Sequence, residues 1–277
     1  MRLEPQIKRI TGYEEIKNIM RYIKSQKKGF ITNFYFGEAR CNLFIDKSLL
    51  FYVNMQECIF ILRKDHNFYH VYYIAANKDM LAKSLQMLAK KYSNDIFVSD
   101  IIGAKPVIDD ISSTCEELGF EKYARLYRMS RTKNLDEPQQ LDRKIEYAAS
   151  EHIEQMLILF EKYFDPYSEQ IPMAEEMQKW IDTQNILIIA ENKNAIGFLI
   201  FEINGITSYL RYWFVHPEHR DKKIGSALLR RFFHESRAAK RQLFWVLENN
   251  ENAIARYKRY GFEPEQLFDQ IMIRRQT

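Results

Sequence analysis

Residues 215–229 read Val-His-Pro-Glu-His-Arg-Asp-Lys-Lys-Ile-Gly-Ser-Ala-Leu-Leu. An apolar strand, 208–215, runs into Pro217. A basic turn with a single glycine follows, and then Ile224, Ala227, Leu228 and Phe232 recur at helical spacing. A helix entered in this way presents unpaired backbone N–H groups and the positive end of its dipole, which suits an anion. Arg220 offers a bidentate contact, and Lys222 and Lys223 add charge. The stretch Arg220, Asp221, Lys222, Lys223, Ile224, Gly225 and Ser226 is therefore a candidate cradle for a pyrophosphate. Gly225 is expected to let the backbone approach the phosphate closely. The alternative is a cationic surface turn on its way into a core helix. The preceding strand ending in Val-x-Pro favours the cradle.

Working outward, the second half alternates in type. A strand is expected at 144–148. A helix opened by Ser150 carries Ile153, Met156, Leu157 and Phe160. The segment 165–172 breaks it, and a short helix, about 174–182, follows. Strands at 185–191, 195–203 and 208–215 are separated by Asn192-Lys-Asn194 and Asn204-Gly205. After the helix from Ile224 come a strand at 242–247, a helix at 252–260 and a strand at 268–274. This is a mixed α/β domain. In the breaking segment, Asp165, Tyr167 and Glu169 place acid groups among aromatic ones, which suits a cation; a solvated turn is the plainer reading.

The first half carries the same phrase. Glu117-Leu-Gly119-Phe120 is echoed 142 positions later by Arg259-Tyr-Gly261-Phe262. Strands at 48–53, 58–62 and 68–74, a helix at 78–91 and a strand at 95–102 precede the first Gly-Phe, and a strand at 124–129 follows it. The order matches that of the second half, so the chain reads as a tandem repeat of one fold. Between the third strand and its helix, however, the first half has only Ile74-Ala-Ala-Asn-Lys-Asp79, with no arginine and no glycine. The first copy is expected to lack a phosphate cradle and a cofactor. The polar, proline-containing stretch 131–144 is the expected linker, dividing the chain into domains 1–135 and 136–277.

A length of 277 residues suits two domains, and a formal net charge of +4 gives no sign of a nucleic-acid binder. The abundant aromatic residues fit packed, β-rich cores. Cys41, Cys58 and Cys115 are odd in number and lack Cys-x-x-Cys spacing, so they are expected to be buried thiols of a reducing compartment. No apolar run is long enough to span a bilayer and no signal segment is evident. The expectation is a cytoplasmic protein without metal, membrane or nucleic-acid partners; the oligomeric state stays open.

A second motif is Asn250-Glu-Asn-Ala-Ile-Ala-Arg-Tyr257, leading into Gly261-Phe262. Asn250 at a strand end can bridge backbone and ligand amides. Tyr257 shares a helical face with Ala253 and Ile254, where its phenol is either a core hydroxyl or a group reaching a ligand across the sheet. Together Val215, Pro217, Arg220, Gly225, Asn250, Ala253, Ile254, Tyr257, Gly261 and Phe262 resemble the GNAT superfamily of acetyl-CoA-dependent N-acetyltransferases. The resemblance covers about residues 144–277.

It implies two tandem acyl-CoA N-acyltransferase-like domains, each a mixed, mostly antiparallel sheet flanked by helices, the first degenerate. It implies acetyl-CoA in a V-shaped opening between the fourth and fifth strands. Backbone groups of Phe214 and Val215 would hold the pantetheine arm, and residues 220–226 the pyrophosphate. An amine of a small molecule, amino acid or peptide would attack directly while Tyr257 gives a proton to the leaving thiolate. In such folds the loop holding Asp165, Tyr167 and Glu169 borders the acceptor. Three departures stand out. Lys223 replaces the first loop glycine, and Tyr209 and Trp245 occupy the positions where family members place a glutamate base. Glu248, Glu202 and His216 are candidate substitutes, and the base stays unassigned. A non-catalytic acyl-CoA-binding interaction protein is the alternative.

Overall fold

The computed structural model describes residues 6–26, 29–55, 57–132, 144–191 and 194–276. Two units form: Met1–Leu126 with Gln266–Thr277, and Tyr127–Glu265. Through the first half run β1 (Lys8–Arg9), α1 (Tyr13–Ser25), β2 (Ile31–Thr32), α2 (Glu38–Asp46), β3 (Leu50–Asn54), β4 (Cys58–Asp65), β5 (Phe68–Ala75), α3 (Lys78–Lys91), β6 (Ile96–Gly103), α4 (Lys105–Glu117) and β7 (Glu121–Arg131). The second half runs β8 (Glu146–Tyr147), α5 (Ile153–Tyr163), α6 (Ala174–Asp182), β9 (Ile186–Glu191), β10 (Asn194–Asn204), β11 (Thr207–Val215), α7 (Ile224–Glu235), β12 (Arg241–Leu247), α8 (Glu251–Arg259) and β13 (Glu263–Arg274). The mixed α/β architecture follows the expected order, with β1, β2, α1 and α2 added to what periodicity indicated.

The repeated Gly-Phe has one cause. Gly119 and Gly261 adopt φ of 82° and 80°, the left-handed conformation that ends a helix. The N–H of Phe120 reaches the carbonyl of Cys115, and that of Phe262 reaches Tyr257, five residues back in each case. Both phenylalanines are then driven into their cores, 3% and 0% exposed.

In the first unit the sheet order is β1-β3-β4-β5-β6-β13, with β2 on β5. Leu81, Leu85 and Leu88 of α3 and Ile108 and Ile111 of α4 cover one face, against Phe60, Leu62, Val71, Phe97 and Met272. The parallel ladder between β5 and β6 has three pairs, Phe68↔Ile96 to His70↔Val98, and then stops. Beyond it, β2 takes up the edge of β5 through Ile31↔Ala75 and Thr32↔Ile74. Asn33 spans the gap: its side-chain amide donates to the carbonyls of Val71 (3.2 Å) and Asp100 (2.8 Å) and accepts from the N–H of Tyr73 (2.6 Å). The fork between β5 and β6 is thus filled by the unit's own chain.

In the second unit residues 127–131 of β7 lead the order β7-β12-β11-β10-β9-β8. Leu228, Phe232 and Phe233 of α7 pack on one face with Phe201, Phe244 and Phe262. Met156 and Phe160 of α5 and Met177 and Trp180 of α6 pack on the other with Phe198, Tyr212 and Phe214. Each half sends its final strand residues out: 127–131 complete the second unit and 266–277 the first. Arg131, expected to open the linker, is instead the buried end of β7. Its guanidinium lies 3.9 Å from the Phe233 ring centre and donates to the Tyr260 carbonyl at 2.9 Å. The remainder of the expected linker, 133–143, lies outside the described residues.

Candidate functional site

The second unit also has a fork, and this one is open. β11 and β12 pair in parallel at Thr207↔Arg241, Ser208↔Gln242 and Tyr209↔Leu243, and nowhere further along among the described residues. The cause is visible on the next strand. The register with β10 passes from Phe201↔Leu210 to Ile200↔Tyr212, leaving Arg211 as the extra residue of a β-bulge. A bulge bends its strand and reverses the side-chain alternation. Leu210 accordingly faces the α7 core, whereas Tyr212 and Phe214 face α5 and α6. The Tyr257 ring bridges the start of the opening, 4.3 Å from the Phe244 ring on β12 and 5.6 Å from that of Trp213 on β11. The Trp213 indole N–H is buried there without a partner, an orphaned donor at the edge of the fork.

At the open end, Asp221 and Lys223 take φ of 68° and 61°. Left-handed residues of this kind turn backbone N–H groups toward one side, as in anion nests. Lys223 is the residue that precedes α7, and it supplies no side-chain cap because an ammonium cannot accept a hydrogen bond. The first N–H groups of α7 are left pointing outward. Arg220 and Lys223 are exposed and have no ion-pair partner among the described residues. Gly225 also has a packing task. It is helical, and a Cβ there would lie 3.1 Å from the Trp213 indole, so its bareness seats α7 on β11. Gly197 on β10 does the same from below: a Cβ would lie 2.9 Å from Ile224 Cγ2 and 3.2 Å from the Phe214 carbonyl oxygen.

On the opposite sheet face the segment after α5 forms a tight turn. Asp165 accepts from the Ser168 hydroxyl (2.6 Å) and the Tyr167 N–H (3.2 Å), so its carboxylate is engaged in shaping the loop. Tyr212 of β11 donates its hydroxyl to the Gln170 carbonyl, pinning the loop over the strand just past the bulge. The neighbouring Glu169 has one carboxylate oxygen buried without a partner. Burial, reinforced by Asp165, pushes its pKa up to about 7.

Residues 153–262 match the acetyltransferase (GNAT) family. A stretch of 120 residues is 28% identical to an uncharacterized N-acetyltransferase of Methanocaldococcus jannaschii, covering 39% of this chain and 52% of that protein, so the likeness spans about half of the relative's length. The fold is that of a GCN5-related N-acetyltransferase from Sphaerobacter thermophilus (TM-score 0.60, 12% identity, 99% of this chain and 96% of that one). It is equally that of a tandem GNAT protein from the clavulanic acid biosynthesis pathway (TM-score 0.57, 12% identity, 98% of each chain).

Residues 153–262 thus carry a GNAT-family acetyltransferase match, within a chain that has the GNAT fold.

Gly225 stands against Trp213 and Val215, and Tyr257 against Trp213 and Phe244, at the start of the fork. Asn250 takes a structural post: it precedes α8 and its side-chain oxygen accepts from the Ala253 N–H at 3.2 Å. Burial raises the Tyr257 phenol to about 12, so it stays protonated at neutral pH. Two of the substitute bases are engaged elsewhere. Glu202 accepts from the Trp180 indole at 2.8 Å, and His216 Nε2 lies 3.2 Å from the Tyr163 hydroxyl. Arg128 lies over Trp245, 5.8 Å from the ring centre, so that position stays without an acid–base group.

Near the loop, ligand atoms of His216, Glu218 and His219 lie within 4.8 Å of one another. Lys222 Nζ, 3.4 Å from His219 Nδ1, opposes a cation there. Cys41, Cys58 and Cys115 are buried thiols whose pKa values rise to about 12, which removes them as nucleophiles. No helix among the described residues is long and apolar enough to cross a membrane. The GNAT motif spacing in the sequence locates the loop. Gly197, Trp213 and the Arg211 bulge belong equally to the site, and they carry no local signal beyond one glycine inside a strand pattern.

Proposed function

We propose that the second half, 136–277, is an N-acetyltransferase domain that moves the acetyl group of acetyl-CoA to an amine of a small molecule, amino acid or peptide. The observation that carries this is the open fork meeting an uncapped helix start, two empty hydrogen-bonding edges on one line. The β12-facing edge of Phe214 and Val215 would take the pantetheine amides, and residues 220–226 the pyrophosphate. When bound, acetyl-CoA supplies an activated acyl carbon and a thiolate leaving group.

Glu169 would take the proton from the acceptor ammonium, freeing the lone pair for the new C–N bond; as the C–S bond breaks, the nitrogen's second proton would pass to solvent. A base poised near the working pH is the efficient choice, and this carboxyl sits at about 7. Tyr257 donates a hydrogen bond to the departing sulfur. Complete transfer from a phenol at about 12 to a thiolate with pKa near ~8.5 would be uphill by roughly 5 kcal/mol. Stabilisation by the hydrogen bond, with the final proton drawn from solvent, is the workable course. Residues 1–135 are a degenerate copy with no acyl donor of their own.

The test is release of free thiol from acetyl-CoA across a panel of amines. Turnover is expected with at least one amine, and its rate should rise through a pKa near 7 that disappears in Glu169→Gln. If millimolar acetyl-CoA neither raises the melting temperature nor yields thiol with any amine, the proposal fails. Stabilisation without turnover would instead select the non-catalytic acyl-CoA-binding reading, which the non-acidic Tyr209 and Trp245 favour.

A further inference from the structure

The first unit buries a charged cluster on the sheet face opposite its α3/α4 core. Alternation along β5 turns Val71 and Tyr73 toward that core and His70 and Tyr72 away from it. Asp100 on β6 stands opposite Ile271, and Asp269 on β13 stands opposite Ile102, so the two carboxylates share this second face as diagonal cross-strand neighbours. Arg63 on β4 belongs to the same face, but its guanidinium is committed to Asp65 at 2.8 Å. Arg40 of α2 is layered on the rings of Phe36 and Phe44.

Two observations mark this cluster as unfinished. The Tyr72 hydroxyl has no hydrogen-bond partner, although the residue is only 3% exposed. One carboxylate oxygen of Asp269 is likewise buried without a partner. Around Tyr72 the charged groups are Arg63, Asp100, Arg40 and Asp65, with Asp269 beside Asp100. Two guanidiniums face three carboxyls, so one positive charge is wanting whenever all three are ionised. Buried charge without a counter-charge is costly. Phe34 and Phe36 meet the Tyr72 ring edge-on, at 5.7 and 4.9 Å between centres, and give the place aromatic walls.

We infer that the first unit binds an organic ammonium ion between Asp100, Asp269 and the Tyr72 hydroxyl. Aromatic walls and nearby guanidiniums suit a singly charged alkylammonium better than a divalent metal. The burial of both carboxyls, which lifts Asp100 to about 6 and Asp269 well above its usual range, fits a site that a cation would relieve. With its fork filled by β2 and Asn33, this unit would hold the amine without acetylating it. The inference does not depend on the proposed acetyl transfer.

The test uses the full chain without acetyl-CoA. n-Butylammonium chloride is titrated near pH 7.5 against n-butanol as the neutral isostere, read by melting temperature and calorimetry. Wild type should be stabilised by the amine and not by the alcohol. Asp269→Asn and Asp100→Asn should each weaken the amine by about tenfold or more, while Lys122→Gln, at a surface ion pair of the same unit, should leave this binding unchanged. If the aspartate variants fail to fold, Tyr72→Phe serves, with an expected loss of a few-fold. Three results would overturn the inference: no response to the amine, a response equal in the Asp variants, or stronger stabilisation by Mg²⁺ or Mn²⁺ than by the amine. A pair of aspartates that merely shares a proton would give the first of these.

Discussion

Both units build a parallel strand pair that separates after three residue pairs, and they treat the gap in opposite ways. In the first, β2 and Asn33 fill it, and Asn77 closes the start of α3 by accepting the Met80 N–H at 3.0 Å. In the second, no strand enters among the described residues, and Lys223 stands where the capping asparagine would be. Hydrogen-bonding groups that one unit satisfies internally are left for a ligand in the other. A binding site of this kind therefore needs no exotic group. It needs only that a cap and a plug be withheld.

The largest effect should come from reversing charge at the open helix start. Arg220→Glu is expected to weaken acetyl-CoA by on the order of 100-fold and to abolish its effect on the melting temperature. Lys78→Glu, at the closed helix of the first unit, should leave both intact. If the two variants behave alike, the contrast between the units is wrong. Next in size is Gly197→Ala. The new methyl meets Ile224 and the Phe214 carbonyl oxygen, which should cost about 1–3 kcal/mol, seen as a lower melting temperature together with weakened acetyl-CoA. Gly12→Ala in the first unit, where no atom lies within 4 Å, is the control and should do neither.

Much of the contrast was legible beforehand. The missing arginine and glycine after Ile74 set the expectation of a first copy without a cradle, and the Gly-Phe pairs pointed to the repeat because each is a helix stop with a buried anchor. Other features were hidden because they depend on partners distant in sequence. Nothing local announces that Ile31–Thr32 will pair with β5, or that Arg131, polar and beside the linker, will stack on Phe233. Gly225 was expected to let the backbone approach a phosphate; its packing against Trp213 had no signal in the sequence. Glu169 stood out as an acid among rings, but the role of base proposed for it rests on burial that only the fold supplies.

A smaller effect is expected from Tyr257→Phe. If the phenol only hydrogen-bonds to the leaving sulfur, kcat should fall about tenfold with KM for acetyl-CoA nearly unchanged. A loss far beyond that would make it a full proton donor. The smallest is Lys223→Gly. Relieving a lysine from the left-handed conformation should stabilise the protein by about 1 kcal/mol, raising the melting temperature by roughly 2–4 °C. The lost ammonium should weaken acetyl-CoA only a few-fold, since the backbone N–H groups of α7 remain. A large loss would shift the anion's hold from main chain to side chain.

The exchange of end strands bears on how the molecule is made. Residues 266–277 complete the first unit, so that unit waits for a segment synthesised only after the whole of the second. On the ribosome β1 to β6 can assemble, but the place for β13 stays vacant until residues 266–277 have emerged. A nascent chain stalled before residue 266 should thus expose the edge of β6, the moment in its life when this protein is most open to mispairing with a neighbour.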